Sequence, residues 1–330
     1  MPQSIQSGPH DLDPVDPELQ RLLIIVHDVQ QPSLTSMTPE DARSWSSRFV
    51  DPDLVSLPVA NVLDRSFQGP GGDVPVRLYH PKPGTILPIL VFFHGGGWVV
   101  GDLDTVDGLM RRIANEAECL VISVGYRLAP ESPYPAAIED AVAAVIWAAD
   151  HAGEFEGDPA RLAVGGDSAG GNLAAVAAIE DRDSGAGRIS FQFLVYPVTD
   201  ANFNRPSMFQ FAEKLLLERR SMAWYWNHYC PDLPSRKHWT ASPVHTPDLS
   251  GVAPAFIHLA AHDPLFDEGC EFASRLQEAG VRTEVRVAPT MVHGFFGLAA
   301  ACKAADQEIQ ESCRILRGEL HRLPAPDDGR

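Results

Sequence analysis

The chain has 330 residues, 45% of them apolar and 21% charged, with a formal net charge of −18 at pH 7. That is a soluble globular composition, long enough to bury a sizeable core in one α/β domain with insertions or in two domains. The acidic balance argues against nucleic acid and anionic membrane as partners, since both demand clustered Lys and Arg.

Cys119, Cys230, Cys270, Cys302 and Cys313 are an odd number with no C-x-x-C pair. Neither a disulfide framework nor a zinc site is expected, no metal or cofactor is called for, and a reducing cytoplasm fits best. Residues 1–15 carry prolines and acids where a signal peptide would carry a basic and then an apolar stretch. No apolar run approaches a membrane span, so nothing marks export or anchoring.

In chain order, two helices are predicted first. Asp16 is a plausible N-cap with Pro17 behind it, and Leu19, Leu22, Leu23 and Val26 fall on one helical face. Thr38 caps a second start, where Glu40 and Asp41 favour the positive end of the helix dipole.

From about Pro75 the period changes to that of strands. Val76-Arg77-Leu78-Tyr79 alternates like a half-buried strand, and 87–93 is a continuous apolar run typical of a buried parallel one. Further strands are predicted at 120–124, 162–165, 191–196, 255–260 and 283–287, and helices at 106–118, 136–149, 169–181, 268–279 and 298–316. Strands alternating with helices imply right-handed crossovers and a mostly parallel sheet covered on both faces. More than fifty residues separate Tyr196 from Ala255, too many for a structureless loop, so an aromatic-rich insertion with helices of its own is expected. The tail at 324–330 reads as disordered.

Chemistry concentrates at three places. Gly166-Asp167-Ser168-Ala169-Gly170 lies between a strand and a helix and fits G-x-S-x-G, whose glycines permit a tight turn holding the serine hydroxyl out above the sheet. Ser168 is the predicted nucleophile. After the strand ending at Phe93 comes His94-Gly95-Gly96-Gly97-Trp98, where backbone N–H groups can approach a ligand unobstructed. The N–H groups of Gly95, Gly96 and Ala169 are the expected oxyanion donors, and His94 is expected to hold the loop.

A serine needs a base, and the base a carboxylate to hold its tautomer. These follow in the order acid then histidine on loops beyond later strands. Asp263 follows the strand at 255–260, and His293 follows the strand at 283–287. His262, Asp267 and Asp200 are the rivals. Trp98, Tyr196 and Phe203 are the candidate substrate-binding residues, although Trp98 fits the core equally well.

With Tyr126-Arg127-Leu128-Ala129-Pro130-Glu131, Tyr196-Pro197-Val198-Thr199-Asp200, Asp263-Pro264-Leu265 and His293-Gly294-Phe295, these motifs resemble the bacterial hormone-sensitive-lipase-like carboxylesterases. Those form family IV of the α/β-hydrolase superfamily, and the resemblance is to the branch with aspartate before the nucleophile. It runs over nearly the whole chain. It implies an α/β-hydrolase fold with a helical cap: 1–50 and 200–245 as cap, 51–199 and 246–330 as core. It also implies a Ser168-His293-Asp263 triad, an acyl-enzyme intermediate and a small-molecule ester of short to medium acyl chain as substrate. Members commonly form homodimers, on which the residues bear in no other way. An amidase or formamidase would use the same groups. A ligand-binding relative that has lost its triad is the other alternative, against which the intact Asp263 and His293 argue.

Overall fold

The computed structural model describes residues 12–28, 33–47 and 57–322. The tail at 324–330 and most of the segment searched for a leader lie outside these residues.

One sheet of eight strands carries the molecule. The strands are β1 (Asn61–Gly69), β2 (Gly72–His80), β3 (Leu87–Phe93), β4 (Leu120–Val124), β5 (Gly157–Asp167), β6 (Ile189–Val195), β7 (Ala255–His262) and β8 (Thr283–Val292). They lie in the order β1-β2-β4-β3-β5-β6-β7-β8. Neighbours from β4 to β8 are parallel, whereas β2 runs antiparallel to both β1 and β4. Every residue of β3 is buried because successive side chains enter opposite layers. Ile89, Val91 and Phe93 join one core, and Leu90 and Phe92 join the other. Burying each such side chain contributes about 1.5–3 kcal/mol before chain entropy is set against it.

Helices α1 (Pro17–Asp28) and α2 (Pro39–Ser46) precede the sheet. The first core is closed by α4 (Ala136–His151), α5 (Ala169–Asp183) and α8 (Phe266–Glu278), and the second by α3 (Asp107–Ala117) and α9 (Lys303–Leu320). The stretch between β6 and β7 carries α6 (Pro206–Gln210) and α7 (Arg219–Tyr229). Both predicted N-terminal starts are capped: the Glu18 N–H donates to Asp16 Oδ1 at 2.7 Å and the Asp41 N–H to Thr38 Oγ1 at 3.1 Å.

Three boundaries depart from expectation. β1 was not foreseen because Phe67 is its only buried side chain, so it offers no apolar period to read. β8 continues through Pro289 to Val292, which an edge strand tolerates because proline's missing N–H falls where no ladder partner is needed. The last helix begins at Lys303, since Gly294 turns left-handed (φ 81°) and Phe295–Gly297 form a 3-10 turn first.

The helical segments outside the sheet layers meet the carboxyl ends of strands and the segments that follow them. The Asp16 N–H donates to Thr290 O at 3.0 Å, and the Tyr134 N–H to Tyr229 O at 2.7 Å. Ser207 of α6 donates through its N–H to Asp267 Oδ2 at 2.8 Å and through its hydroxyl to Pro264 O at 2.7 Å. Among the described residues, no helix is long and apolar enough to cross a membrane.

Candidate active site

Ser168 joins β5 to α5 with φ 53° and ψ −117°, a conformation that costs a non-glycine residue roughly 1–3 kcal/mol. The packing of the elbow holds it there. Its N–H donates to Val195 O at 2.9 Å, and its carbonyl accepts from the Val198 N–H at 3.1 Å and the Asn172 N–H at 3.1 Å. The flanking glycines are needed for close approach, because a Cβ on Gly170 would overlap the Phe93 carbonyl oxygen and one on Gly166 would overlap the Gly170 backbone. The side chain stands at the N-terminus of α5, where unpaired N–H groups favour negative charge.

Later strands bring the other two groups to it. His293 Nε2 lies 2.9 Å from Ser168 Oγ, and His293 Nδ1 lies 2.7 Å from Asp263 Oδ2. Asp263 is 1% exposed and its other oxygen accepts the Leu265 N–H at 2.8 Å, so the carboxylate is held to one orientation. Asp263 therefore fixes a proton on Nδ1 and leaves Nε2 facing the serine.

The rival residues are engaged elsewhere. His262 Nε2 pairs with Asp13 O at 2.9 Å, and Asp267 Oδ2 accepts the Ser207 N–H. Asp200 pairs with Arg205 at 2.5 Å and with His245 at 3.1 Å.

The triglycine loop differs in detail from expectation. The Gly95 N–H donates to Asp167 Oδ1 at 2.8 Å, so it is engaged within the protein and is not free to meet a substrate. The Gly96, Gly97 and Ala169 N–H groups have no hydrogen-bond acceptor among the described residues. Gly96 adopts φ 111°, and the Val99 and Val100 N–H groups both turn back onto its carbonyl at 3.1 and 2.9 Å. His94 fixes the loop from behind: Nδ1 lies 2.7 Å from Gly95 O, and the ring stacks on Tyr126, whose hydroxyl donates to His94 O at 2.7 Å. Burial pushes the His94 ring below its ordinary pKa, as a neutral structural histidine requires.

Of the three candidate substrate contacts, two are buried and one is half-buried. Trp98 is 0% exposed, stacked on Tyr229 at 4.0 Å and edge-on to Trp226 at 4.9 Å, so it is core that ties the loop to α7. Tyr196 is 1% exposed and packs its ring 4.6 Å from that of His293, backing the imidazole. Phe203 is half-buried, and among the described residues no hydrogen bond or ring contact joins it to the triad.

Two residues went unrecognised. Asp167 could have been flagged as a lone acid between Gly166 and the nucleophile. Tyr225, one of many aromatics in the insertion, had no such signal. Its ring lies so close to Gly97 that a Cβ there would overlap it. Tyr225 also borders a cavity of about 330 Å³ lined with Leu34, Met37, Trp45, Val100 and Leu217.

A serine on a strained strand-to-helix turn, joined through a histidine to a carboxylate on later loops of a parallel sheet, is the arrangement of the α/β hydrolases. The profile of the alpha/beta hydrolase fold family matches residues 90–297. Two relatives from Mycobacterium tuberculosis, Carboxylic ester hydrolase LipN and Carboxylesterase NlhH, are each 43% identical to this chain over 80% of its length. The matches span 72% and 85% of those proteins. The crystal structure of a thermostable esterase from Pseudomonas putida superposes with a TM-score of 0.89 at 33% identity, covering 96% of this chain and 100% of that one. The chain belongs to the α/β-hydrolase family, among its hormone-sensitive-lipase-like carboxylesterases.

Proposed function

We propose that this chain is a serine carboxylesterase that hydrolyses short- to medium-chain acyl esters through Ser168, His293 and Asp263. The observation that carries the reading is the unbroken hydrogen-bond line from Ser168 Oγ through His293 to Asp263, at 2.9 and 2.7 Å. The names of the three relatives above, each an esterase or ester hydrolase, support it. Ser168 Oγ attacks the ester carbonyl while His293 Nε2 takes its proton, and Asp263 stabilises the imidazolium. The negative oxygen of the tetrahedral intermediate is met by the N–H groups of Gly96, Gly97 and Ala169, each such donor contributing roughly 3–4 kcal/mol to the transition state. Collapse expels the alcohol, protonated by His293, and leaves an acyl-Ser168. Water, deprotonated by His293, then releases the acid. No step needs a cofactor.

Segments 1–50 and 200–245 are read as a cap over a core of 51–199 and 246–330. The contacts of α1, α6 and α7 with the carboxyl ends of strands and the segments that follow them support this division. A cytoplasmic location rests on the cysteine pattern, and a homodimer on the family resemblance.

The test is stoichiometric labelling by a fluorophosphonate, lost in Ser168→Ala, together with turnover of matched p-nitrophenyl esters and anilides. Labelling with faster ester turnover supports the esterase. Faster anilide turnover makes the protein an amidase, and no labelling makes it a binding protein.

A further inference from the structure

We infer that Arg43, on the N-terminal helix α2, is a positioning residue that fixes the triglycine loop from outside the core. This rests on the esterase reading above. The Arg43 guanidinium joins three groups distant in sequence. Nε donates to Val99 O at 2.8 Å, Nη2 donates to Ala129 O at 2.9 Å, and the two Nη atoms fork onto Glu131 at 2.9 and 2.6 Å.

The two carbonyls belong to the strands of chain that set the loop. Val99 lies two residues beyond the last glycine, after Trp98, and its N–H turns back onto Gly96 O. The Ala129 N–H donates to Trp98 O at 2.9 Å, so Arg43 clasps both sides of the contact that closes the loop. Among the described residues, Arg43 is the only side chain that donates to Val99 O. Without it that buried carbonyl loses its partner, and the cheapest relief is a shift of the backbone carrying the Gly96 and Gly97 N–H groups. Those donors act on the negative oxygen of the transition state, so a small displacement is felt in kcat more than in substrate binding.

The same residue seats α2. Ala42 is 1% exposed, while Trp45 and Ser46 line the 330 Å³ cavity together with Val100 and Tyr225. Arg43 thus couples a wall of that cavity to the loop. A planar guanidinium can reach two carbonyls and a carboxylate at once; a lysine ammonium on its single stem cannot. The Glu131 carboxylate is the dispensable partner, since its side chain is 63% exposed and solvent-exposed ion pairs hold little.

The experiment is steady-state kinetics on p-nitrophenyl acetate and hexanoate for wild type, Arg43→Ala, Arg43→Lys and Glu131→Gln, with melting curves for each. Wild type is measured first: if it hydrolyses neither ester, the esterase reading itself fails. Given an active wild type, Arg43→Ala and Arg43→Lys are expected to lose about 10- to 100-fold in kcat, the scale of a sub-ångström to 1 Å misplacement. KM for the acetate changes far less. Glu131→Gln stays within about twofold of wild type, as an exposed pair should. Millimolar guanidinium restores part of the Arg43→Ala rate. Should Arg43→Ala fail to fold, Arg43→Lys decides. Wild-type kcat in a folded Arg43 variant overturns the inference, and so does a Glu131→Gln loss as large as that of Arg43→Lys.

Discussion

The Asp167 carboxylate accepts the Gly95 N–H at 2.8 Å, tying the residue before the nucleophile to the first glycine of the loop that faces it. Burial pushes this carboxyl up to about 6, against the opposing pull of the Gly95 N–H and of His293. An ionised carboxylate is the stronger acceptor, so the tie loosens as pH falls through that value. Tyr126 and Tyr196, whose phenols burial raises well above their ordinary value, face Asp167 and stay protonated throughout. The ionisation of Asp167 therefore contributes to the acid limb of kcat. Asp167→Asn keeps an acceptor for the Gly95 N–H and removes that ionisation. Its log kcat against pH should fall less steeply between pH 7 and 5 than that of wild type. Equal slopes would show that Asp167 does not titrate with catalysis.

Removal of the nucleophile should abolish turnover while leaving the melting temperature near wild type, because among the described residues the Ser168 hydroxyl bonds only to His293. His293→Ala should be nearly as damaging, and the double variant little worse, since triad members act as a unit. For Asp263→Asn, the 2.7 Å contact with Nδ1 would be met by an amide that cannot hold the same tautomer, and a loss of up to about 10⁴-fold is expected. Losses that add across Ser168 and His293 would point to a different base.

The elbow was legible because three independent signals converge on Ser168: a strand period before it, a helix period after it, and glycines at the turn. His293 and Asp263 were legible by topology, since each follows a strand that could be read. What could not be read were choices made by packing. Nothing in Gly95-Gly96-Gly97 distinguishes the N–H that meets Asp167 from those left free. Trp98 could lie on either side of its backbone, and the Trp226 and Tyr229 rings of α7 decide for the core. β1 stayed invisible because an edge strand with one buried residue carries almost no pattern.

Glu268 gives a second, separate pH dependence, this time of stability. It is 0% exposed; Oε1 accepts the Thr199 N–H at 2.8 Å and the Asp200 N–H at 3.2 Å, while Oε2 has no hydrogen-bond partner among the described residues. Burial raises its carboxyl well above the ordinary range, and nearby Asp200 adds to the rise. A raised folded value means the fold prefers the protonated acid. Its contribution is thus complete below the unfolded value of about 4.3 and is lost as pH rises towards the folded one. The loss runs at up to about 1.4 kcal/mol per pH unit. Glu268→Gln keeps the acceptor for both N–H groups without titrating. Urea unfolding should therefore show the variant gaining on wild type between pH 5 and pH 8, and a constant difference across that range would rule the account out.

The last prediction concerns acyl chain length. Tyr225 lies against Gly97 and also borders the cavity of about 330 Å³, so one ring connects that space with the loop that would hold the oxyanion. Leu34, Met37, Leu217 and Trp45 supply much of its wall, and these come from the N-terminal segment and the insertion together. Each methylene of an acyl group gains about 0.8 kcal/mol only while such space remains; beyond that it must protrude into water or displace the helices. Activity on p-nitrophenyl esters should rise from acetate to butyrate or hexanoate and fall steeply before palmitate. Met37→Trp, which fills the cavity far from Ser168 in sequence, should move the optimum towards acetate with little change in acetate kcat. No jump in rate is expected above the solubility limit of the substrate, because the space that takes the acyl group is bounded by residues of the chain itself. An optimum at palmitate, or interfacial activation, would mean that the helices over the site open as a lipase lid does.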